Sequence, residues 1–340
     1  MIYSERLDVN QPKAMDELAS FLNKNDLTMD KIDAALVLKE DGIIIGSCCK
    51  FNNVLKMIAI DCNYQQNNLT ATLLSEMQHI LFEQNITHSF IFTPVKHKHI
   101  FTSLFYHEVI ATDEVVLLEK GSQNIDQTIQ NIIKQYNIQK GNHGAIVING
   151  NPMTLGHQYL IEQASQQVDR LFVFVVEEDV SFFSFEFRYR LIERNTKHLD
   201  NVVVLASTPY IISHATFPNY FMRDLDHHFK MYATLDVSLF AKHFSKLFIQ
   251  TRFVGEEPLD PMTNMYNQML RKELPKHGMH LKIIPRKENN HGVISASKVR
   301  ECLKQGDYIK LKDFVSDLTY KEIMANKELV EKAKTYDKTH

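Results

Sequence analysis

The apolar positions in the first third of the chain follow two rhythms, one typical of strands and one typical of helices. Short apolar runs predict strands at 34–39, 43–51, 54–61, 89–93 and 114–119. Asp41-Gly42 separates the first two runs and favours a hairpin turn, because both residues tolerate positive φ. Helical spacing predicts helices at 12–23, 69–82 and 100–105. The second helix has an apolar stripe made of Leu73, Leu74, Met77, Ile80 and Leu81. This order of elements predicts an α+β module with an antiparallel sheet.

In the remainder of the chain, strand-like apolar runs alternate with helical segments. Apolar runs at 145–148, 171–176, 202–206, 248–254 and 281–285 are separated by segments with helical spacing. Buried-type strands that alternate with helices predict a doubly wound parallel sheet, in which ligands bind outside the carboxyl ends of the strands. The gap at 208–247 is long, so we expect it to hold extra helices that shape the substrate side.

The change of rhythm divides the chain into two domains. A chain of 340 residues is long enough for two domains of ordinary size. The boundaries predicted from the pattern are an N-terminal α+β domain at 1–122, a connecting segment at 123–143, and an α/β domain with C-terminal helices at 144–340. The connecting segment can form a helix in its middle, and Gly141 to Gly144 is the expected break.

Composition narrows the class of protein. The hydrophobic fraction is 44% and the charged fraction 23%, as in ordinary globular proteins, and the formal net charge is -3. Such a charge favours neither nucleic acid nor an anionic membrane as a partner. The four cysteines have no C-x-x-C spacing, the N-terminus lacks the pattern of a secretory signal, and no apolar run reaches about 20 residues. We therefore expect a cytoplasmic protein.

The polar loop after the first strand of the second domain carries the first candidate site. Asn149 and Asn151 follow the apolar run directly, and Thr154, Gly156 and His157 stand where the next helix begins. Gly156 allows close approach of a ligand, while the hydroxyl of Thr154 and the imidazole of His157 can donate to phosphate. An ordinary strand-to-helix turn with a capping residue is the alternative interpretation.

A second cluster follows the last strand, in GVISASKVRECL at 292–303. Ser295 and Ser297 stand at a predicted helix start, accompanied by Lys298 and Arg300. Hydroxyl and cationic groups at a helix N-terminus suit phosphate, although a serine cap beside solvated basic residues would have the same pattern. A strand that runs into a turn at Gly255, in RFVGEEP, is a weaker third signal.

Taken in this order, the motifs resemble those of the nucleotidylyltransferase superfamily. Its T/H-x-G-H turn matches TLGH at 154–157, and its I-S-x-[ST]-x-x-R helix start matches ISASKVR at 294–300. NPMTLGHQYLIEQA, FVVEED, YIISHATFPNYF and RFVGEEP narrow the resemblance to the citrate lyase ligase family. The N-terminal domain is similar in strand order to GNAT acetyltransferases.

The resemblance implies an activity. Members of the family use ATP to join acetate to the thiol of a CoA-like prosthetic group on the acyl-carrier subunit of citrate lyase. Acetate would attack the α-phosphate to give acetyl-adenylate and pyrophosphate, and the thiol would then take the acetyl group and release AMP. Mg²⁺ is expected as the counterion of ATP, without a dedicated set of protein ligands.

The resemblance also implies roles for particular residues. His157 and Thr154 would donate to the phosphates, and Arg300 would act with them as a catalytic group. The set implied to bind the nucleotide comprises Asn149, Asn151, Gly156, His157, Arg188, Gly255, Ser295, Ser297 and Lys298. For Arg188, a surface arginine on an amphipathic helix is the alternative. His214, Thr216 and Tyr220 are candidates for the acetate or thiol site, with simple packing as the alternative.

The N-terminal domain departs from the GNAT pattern at its phosphate-binding turn. Asn68 and Thr70 stand where glycine and a small residue are usual, although asparagine tolerates the left-handed region. We therefore expect this domain to dock the carrier subunit or its prosthetic arm, or to be a structural remnant, rather than to transfer acetyl groups.

Three rival functions share some of these features. An adenylyltransferase acting on a phosphate ester such as phosphopantetheine shares the whole first loop. The second is a CoA-dependent acetyltransferase, and the altered turn at Asn68 and Thr70 counts against it. The third is a non-catalytic carrier-binding protein, and the two intact phosphate motifs count against it.

Overall fold

The computed structural model describes residues 1–65, 68–177, 181–211, 225–257, 261–290 and 292–335. The chain forms two compact units. The first comprises Met1–Asn131 with His214–Leu239, and the second comprises Ile132–Ser213 with Phe240–His340. The division after residue 131 falls inside the segment assigned as a connector, and the first unit also takes a stretch from within the range assigned to the second domain.

The first unit is a seven-stranded sheet with helices on both faces. Its strands are β1 (Ile2–Leu7), β2 (Ala34–Glu40), β3 (Ile43–Phe51), β4 (Val54–Ile60), β5 (His88–Pro94), β6 (His107–Ala111) and β7 (Val115–Gly121). Its helices are α1 (Pro12–Lys24), α2 (Leu69–Glu83), α3 (Lys98–Thr102), α4 (Ile125–Gln135), which continues into the second unit, and α7 (Leu225–Leu239). All the predicted strands and helices of this domain are present.

The strand order β1-β2-β3-β4-β5-β7-β6 confirms the GNAT-like fold. The prediction of a wholly antiparallel sheet is wrong at one pair, because β4 and β5 run parallel, with Val54 opposite Phe90 and Leu55 opposite Ile91. The sequence analysis also missed β1 and β6. Both are edge strands with several exposed side chains, so neither carries the apolar run that marks a buried strand.

Alternation along the central strands explains how both faces of this sheet are covered. Leu36 and Leu38 of β2 face the core under α2, whereas Val37 faces the core under α1. The predicted stripe of α2 is buried throughout. At the start of α2, Asn68 has φ +53°, so asparagine does occupy the left-handed position in the altered turn.

The second unit is a five-stranded parallel sheet, as predicted. Its strands are β8 (His143–Ile148), β9 (Arg170–Val175), β10 (Val202–Ala206), β11 (Ile249–Gly255) and β12 (His280–Ile284), and a short hairpin of β13 (Glu288–Asn289) and β14 (Gly292–Val293) follows. The order β10-β9-β8-β11-β12 places the reversal of winding between β8 and β11. Ligands bind at such a switch point in open α/β sheets.

Seven helices of the described ranges belong wholly to this unit. They are α5 (Leu155–Ser165), α6 (Phe185–Thr196), α8 (Pro261–Glu273), α9 (Ala296–Gln305), α10 (Tyr308–Leu311), α11 (Asp317–Ala325) and α12 (Lys327–Thr335). The C-terminal helices share one apolar core with the sheet, because Phe314 and Ile323 pack in the same cluster as Ile146 and Val173.

The predicted extra helices in the long gap at 208–247 are present. Helix α7 is followed by a π-helical turn at Phe240–Phe244. However, α7 packs against β6 and β7 and belongs to the first unit, so it does not extend the second unit as expected. None of the described helices combines the length and the apolar character needed to span a membrane.

Candidate active site

The loop after β8 and the start of α5 form the centre of the candidate site. Thr154 caps α5 by accepting a hydrogen bond from the His157 amide at 3.3 Å, and the Thr154 amide donates to His157 Nδ1 at 3.1 Å. Together these bonds form a capping box that fixes the first turn and the imidazole in it. Thr154 is buried, and the main role of its side chain in this structure is to cap α5.

His157 is held as a neutral imidazole. Burial lowers its pKa from 6.5 to about 4, the positive charge of Arg286 contributes to the shift, and a hydrogen bond with the Pro152 backbone partly opposes it. Because an amide can only donate, Nδ1 accepts from Thr154 and the ring carries its proton on Nε2. The neutral ring has this one N–H proton, and a phosphate would have to compete for it with the Pro152 carbonyl.

The two motifs recognised in the sequence meet in space. A Cβ placed on Gly156 would lie only 3.4 Å from the carbonyl oxygen of Ile294, so the start of α5 packs against the strand end that leads into α9. Ser295 caps α9 by accepting from the Lys298 amide at 3.3 Å. Two helix N-termini thus stand side by side, and both favour negative charge.

Arg300 joins the same two elements. Its guanidinium donates to the carbonyl oxygen of Asn151 through Nη1 and to Oγ of Ser297 at 3.1 Å through Nη2. Lys298 lies on the adjacent turn, with Nζ 5.8 Å from the centre of the Phe314 ring. The serine and basic residues predicted for the second cluster therefore lie together at the start of α9.

The side chains of Asn149 and Asn151 hold the loop to its neighbour. Asn149 Oδ1 accepts from the Ser181 hydroxyl at 3.1 Å, and Asn151 Oδ1 accepts from the Phe183 amide at 3.1 Å. Gly150 between them has φ +59°, a conformation that strongly favours glycine. The sequence analysis did not single out Gly150, although its place between two asparagines was a signal for a left-handed turn.

Arg188 does not lie on the surface, as the alternative interpretation of the sequence had it. Its side chain is completely buried, so the alternative of a surface arginine is wrong. Nε donates to Phe183 O at 3.0 Å, and Nη1 donates to Asn149 O at 2.7 Å and Val176 O at 2.8 Å. The guanidinium ties the ends of β8 and β9 to the start of α6, and its contact with phosphate stays a prediction.

Arg286 is a candidate that the sequence analysis missed. It follows β12, donates through Nε to Glu256 O at 2.7 Å and pairs through Nη2 with the Glu257 carboxylate. Because it follows the end of β12 it lies at the carboxyl edge of the sheet, and its charge lowers the pKa of His157. No motif marked it, because a lone arginine before a polar loop has the pattern of an exposed residue.

Gly255 ends β11 beside this pair. Its carbonyl accepts from Asn267 Nδ2 at 3.2 Å, and a Cβ at this position would meet nothing within 4 Å among the described residues. As far as the described residues go, the backbone there faces open space at the switch point. His214, Thr216 and Tyr220 lie outside the described residues. Across the described ranges, no group of three or more His, Cys, Asp or Glu side chains gathers as metal ligands.

A parallel sheet with two capped helix N-termini beside its switch point is consistent with a nucleotidylyltransferase-like domain. The citrate lyase ligase C-terminal domain matches residues 143–323. The chain is 34% identical over 320 residues to a [Citrate [pro-3S]-lyase] ligase of Haemophilus influenzae, covering 92% of this chain and 95% of that one. The chain belongs to the citrate lyase ligase family.

Two further similarities are partial. A phosphopantetheine adenylyltransferase of Streptococcus gordonii is 46% identical over 59 residues, which is 17% of this chain and 36% of that protein. The solved structure of the ribosomal-protein-S18-alanine N-acetyltransferase from Escherichia coli covers 36% of this chain and 96% of its own, with 14% identity and a TM-score of 0.30.

Proposed function

We propose that this chain is an acid-thiol ligase that uses ATP to acetylate the thiol prosthetic group on the acyl-carrier subunit of citrate lyase. Membership of the family supports a ligase role toward citrate lyase. The observation that carries the chemistry is the pair of capped helix N-termini at the starts of α5 and α9, with His157, Arg286 and Arg300 around them.

The first half-reaction is a nucleotidyl transfer. A carboxylate oxygen of acetate attacks the α-phosphorus of ATP in line, a phosphorus–oxygen bond forms, and the bond to the β-phosphate breaks to release pyrophosphate. The thiol then attacks the carbonyl carbon of acetyl-adenylate, and AMP leaves. No covalent intermediate on the protein is needed, so catalysis consists of positioning and of stabilising the charge that spreads over the phosphates.

The residues of the site fit ATP. The His157 Nε2 proton would donate to a phosphate oxygen while Nδ1 stays fixed by Thr154, and loss of such a donor typically costs about 100-fold in rate. Arg286 and Arg300 would supply positive charge from the β12 and α9 sides. Ser295, Ser297 and Lys298 would hold the terminal phosphates at the start of α9.

Magnesium would enter with ATP. Bound to the phosphates, Mg²⁺ would supply charge neutralisation, and Glu257, which pairs with Arg286, is a carboxylate at this edge of the sheet. Asn149 and Asn151 keep the loop in place, Gly156 admits the phosphates close to the backbone, and Gly255 leaves the switch point open.

Pyrophosphate exchange into ATP tests the proposal. Purified protein with Mg²⁺ should exchange label only when acetate is added. The variant His157→Asn keeps an acceptor near the position of Nδ1 but removes Nε2, and we expect exchange to fall by about 100-fold. The control is His198→Asn, because His198 is an exposed histidine of the same unit and should tolerate the change.

The competing function is adenylyl transfer to phosphopantetheine, which the short match to that enzyme favours. If pyrophosphate exchange requires phosphopantetheine and is unaffected by acetate, the ligase proposal is wrong and the protein is a phosphopantetheine adenylyltransferase. Full activity in His157→Asn would contradict the assigned role of the imidazole, whichever acceptor is used.

A further inference from the structure

A carboxylate that the proposed first step does not use lies at the carboxyl end of β9. The Val176 amide donates to Ile148 O at 3.0 Å, so the chain still runs beside β8 after both strands have ended. Continuing the register in which Ile148 lies opposite Val175 puts Glu177 at the level of Gly150. The Ser181 hydroxyl returns to Asn149 Oδ1 at 3.1 Å, so the residues on both sides of 178–180 border the same loop.

Glu177 is held in place from the neighbouring strand. Its amide donates to Oγ of Ser207 at 3.2 Å, and the Thr208 backbone acts on its carboxyl by lowering the pKa that burial raises. The Ser207 amide in turn donates to Val175 O at 2.8 Å. The ends of β9 and β10 are thus locked together, with Glu177 at the lock.

The backbone at this lock is strained. Thr208 has φ +66°, which is unusual for a β-branched residue, and unfavourable conformations of this kind concentrate at functional sites. The Thr208 carbonyl accepts from the Ile211 amide at 3.4 Å, which helps to hold the turn. Burial raises the pKa of the Glu177 carboxyl and a hydrogen bond with the Thr208 backbone opposes the rise, so the carboxylate is a better proton acceptor than an ordinary one.

The site is asymmetric about β8. Arg286 and Arg300 lie on the β12 and α9 side, whereas Glu177 and Thr208 lie on the β9 and β10 side. Arg188 also lies at the end of β9, but its guanidinium is buried against the carbonyls of Asn149 and Val176. The phosphates of ATP belong with the cations. Acetate must approach the α-phosphate, and the thiol must then approach the acetyl carbon. Both would enter from the other side, where the Glu177 carboxylate lies.

We propose that Glu177 accepts the proton of the acceptor thiol during the second half-reaction, an inference that rests on the proposed function. The S–H proton passes to the carboxylate as the sulfur forms a bond to the carbonyl carbon of acetyl-adenylate. The bond between that carbon and the phosphate oxygen breaks, and AMP leaves with the electron pair. Nothing is oxidised or reduced.

Separate readouts of the two half-reactions test this role. With ATP, acetate and hydroxylamine, acetohydroxamate reports acetyl-adenylate formation without the thiol. Acetylation of deacetylated citrate lyase reports the complete reaction. Glu177→Gln keeps the shape and an oxygen for the hydrogen bond with the Thr208 backbone, so we expect hydroxamate formation within about twofold of the unsubstituted chain and thiol acetylation lowered by about 100-fold at pH 7.

The pH profile separates proton transfer from a structural effect. If only the base is missing, acetylation by Glu177→Gln should rise about tenfold per pH unit towards the ordinary thiol pKa of about 8.5, because the thiolate needs no base. Glu186→Gln is the matched control, since Glu186 is an exposed carboxylate in the first turn of α6 and should leave both readouts unchanged.

Each remaining outcome overturns the inference. Unchanged thiol acetylation in Glu177→Gln would show that the carboxylate takes no proton. An equal loss of hydroxamate and thioester, or a loss that does not depend on pH, would show a structural role. If the unsubstituted chain makes no acetate-dependent hydroxamate, the proposed function itself fails, and this inference fails with it.

Discussion

Replacement of the buried arginine gives the most direct test of how the loop is held in place. Arg188→Met keeps much of the aliphatic volume but removes the guanidinium that donates to three backbone carbonyls, those of Phe183, Asn149 and Val176, at 2.7 to 3.0 Å. Those carbonyls face a side chain that is completely buried. The substitution therefore leaves them without these donors where water has little access.

The magnitude follows from those bonds. Hydrogen bonds to a charged group contribute about 1.5–3 kcal/mol each, so three would sum to roughly 4.5–9 kcal/mol. Removing a buried charge returns part of its desolvation cost, and we expect a net loss of about 3–5 kcal/mol in the free energy of unfolding. For a unit of this size the melting temperature should fall by at least about 6 °C.

Calorimetry and pyrophosphate exchange measure the two consequences. Displacement of the loop should also lower exchange, since a misplacement of about 1 Å can cost 100-fold. Arg190→Met is the control, because Arg190 is about half exposed and its 3.4 Å ion pair with Glu322 contributes little. A raised KM for ATP with an unchanged melting temperature would refute the positioning role and favour direct contact between Arg188 and phosphate.

Three more predictions concern the same site. His157 should titrate near pH 4 by NMR and not near 6.5; since its folded pKa is lowered, its contribution to stability is complete above about pH 6.5 and is lost as the pH falls towards 4. Arg286→Met should raise the His157 pKa in that titration and lower exchange, and an unchanged pKa would contradict their proximity. Gly150→Ala should destabilise by about 1–3 kcal/mol in denaturant unfolding, because φ is +59° and the new Cβ would lie 2.9 Å from Cδ1 of Ile192; a neutral effect would show that the turn relaxes freely.

The sequence by itself determined the periodic elements. Every strand predicted from an apolar run is present, with ends within two residues of the prediction, because burial of a regular strand or helix leaves a local periodic signal. Edge strands β1 and β6 escaped because exposure removes that signal. The starts of α5 and α9 were also readable, since capping residues and glycines act within a few positions of one another.

Only the tertiary structure decided which distant groups meet. Arg188 and Asn149 are 39 residues apart and Arg300 and Asn151 are 149 apart, so their contacts depend on how the strands are ordered and packed. The same holds for Arg286, whose charge reaches His157 across the switch point, and for α7, which belongs to the first unit. A local pattern fixes what an element is, but the burial of a charge and the identity of its partner are set by the whole arrangement of chain around it.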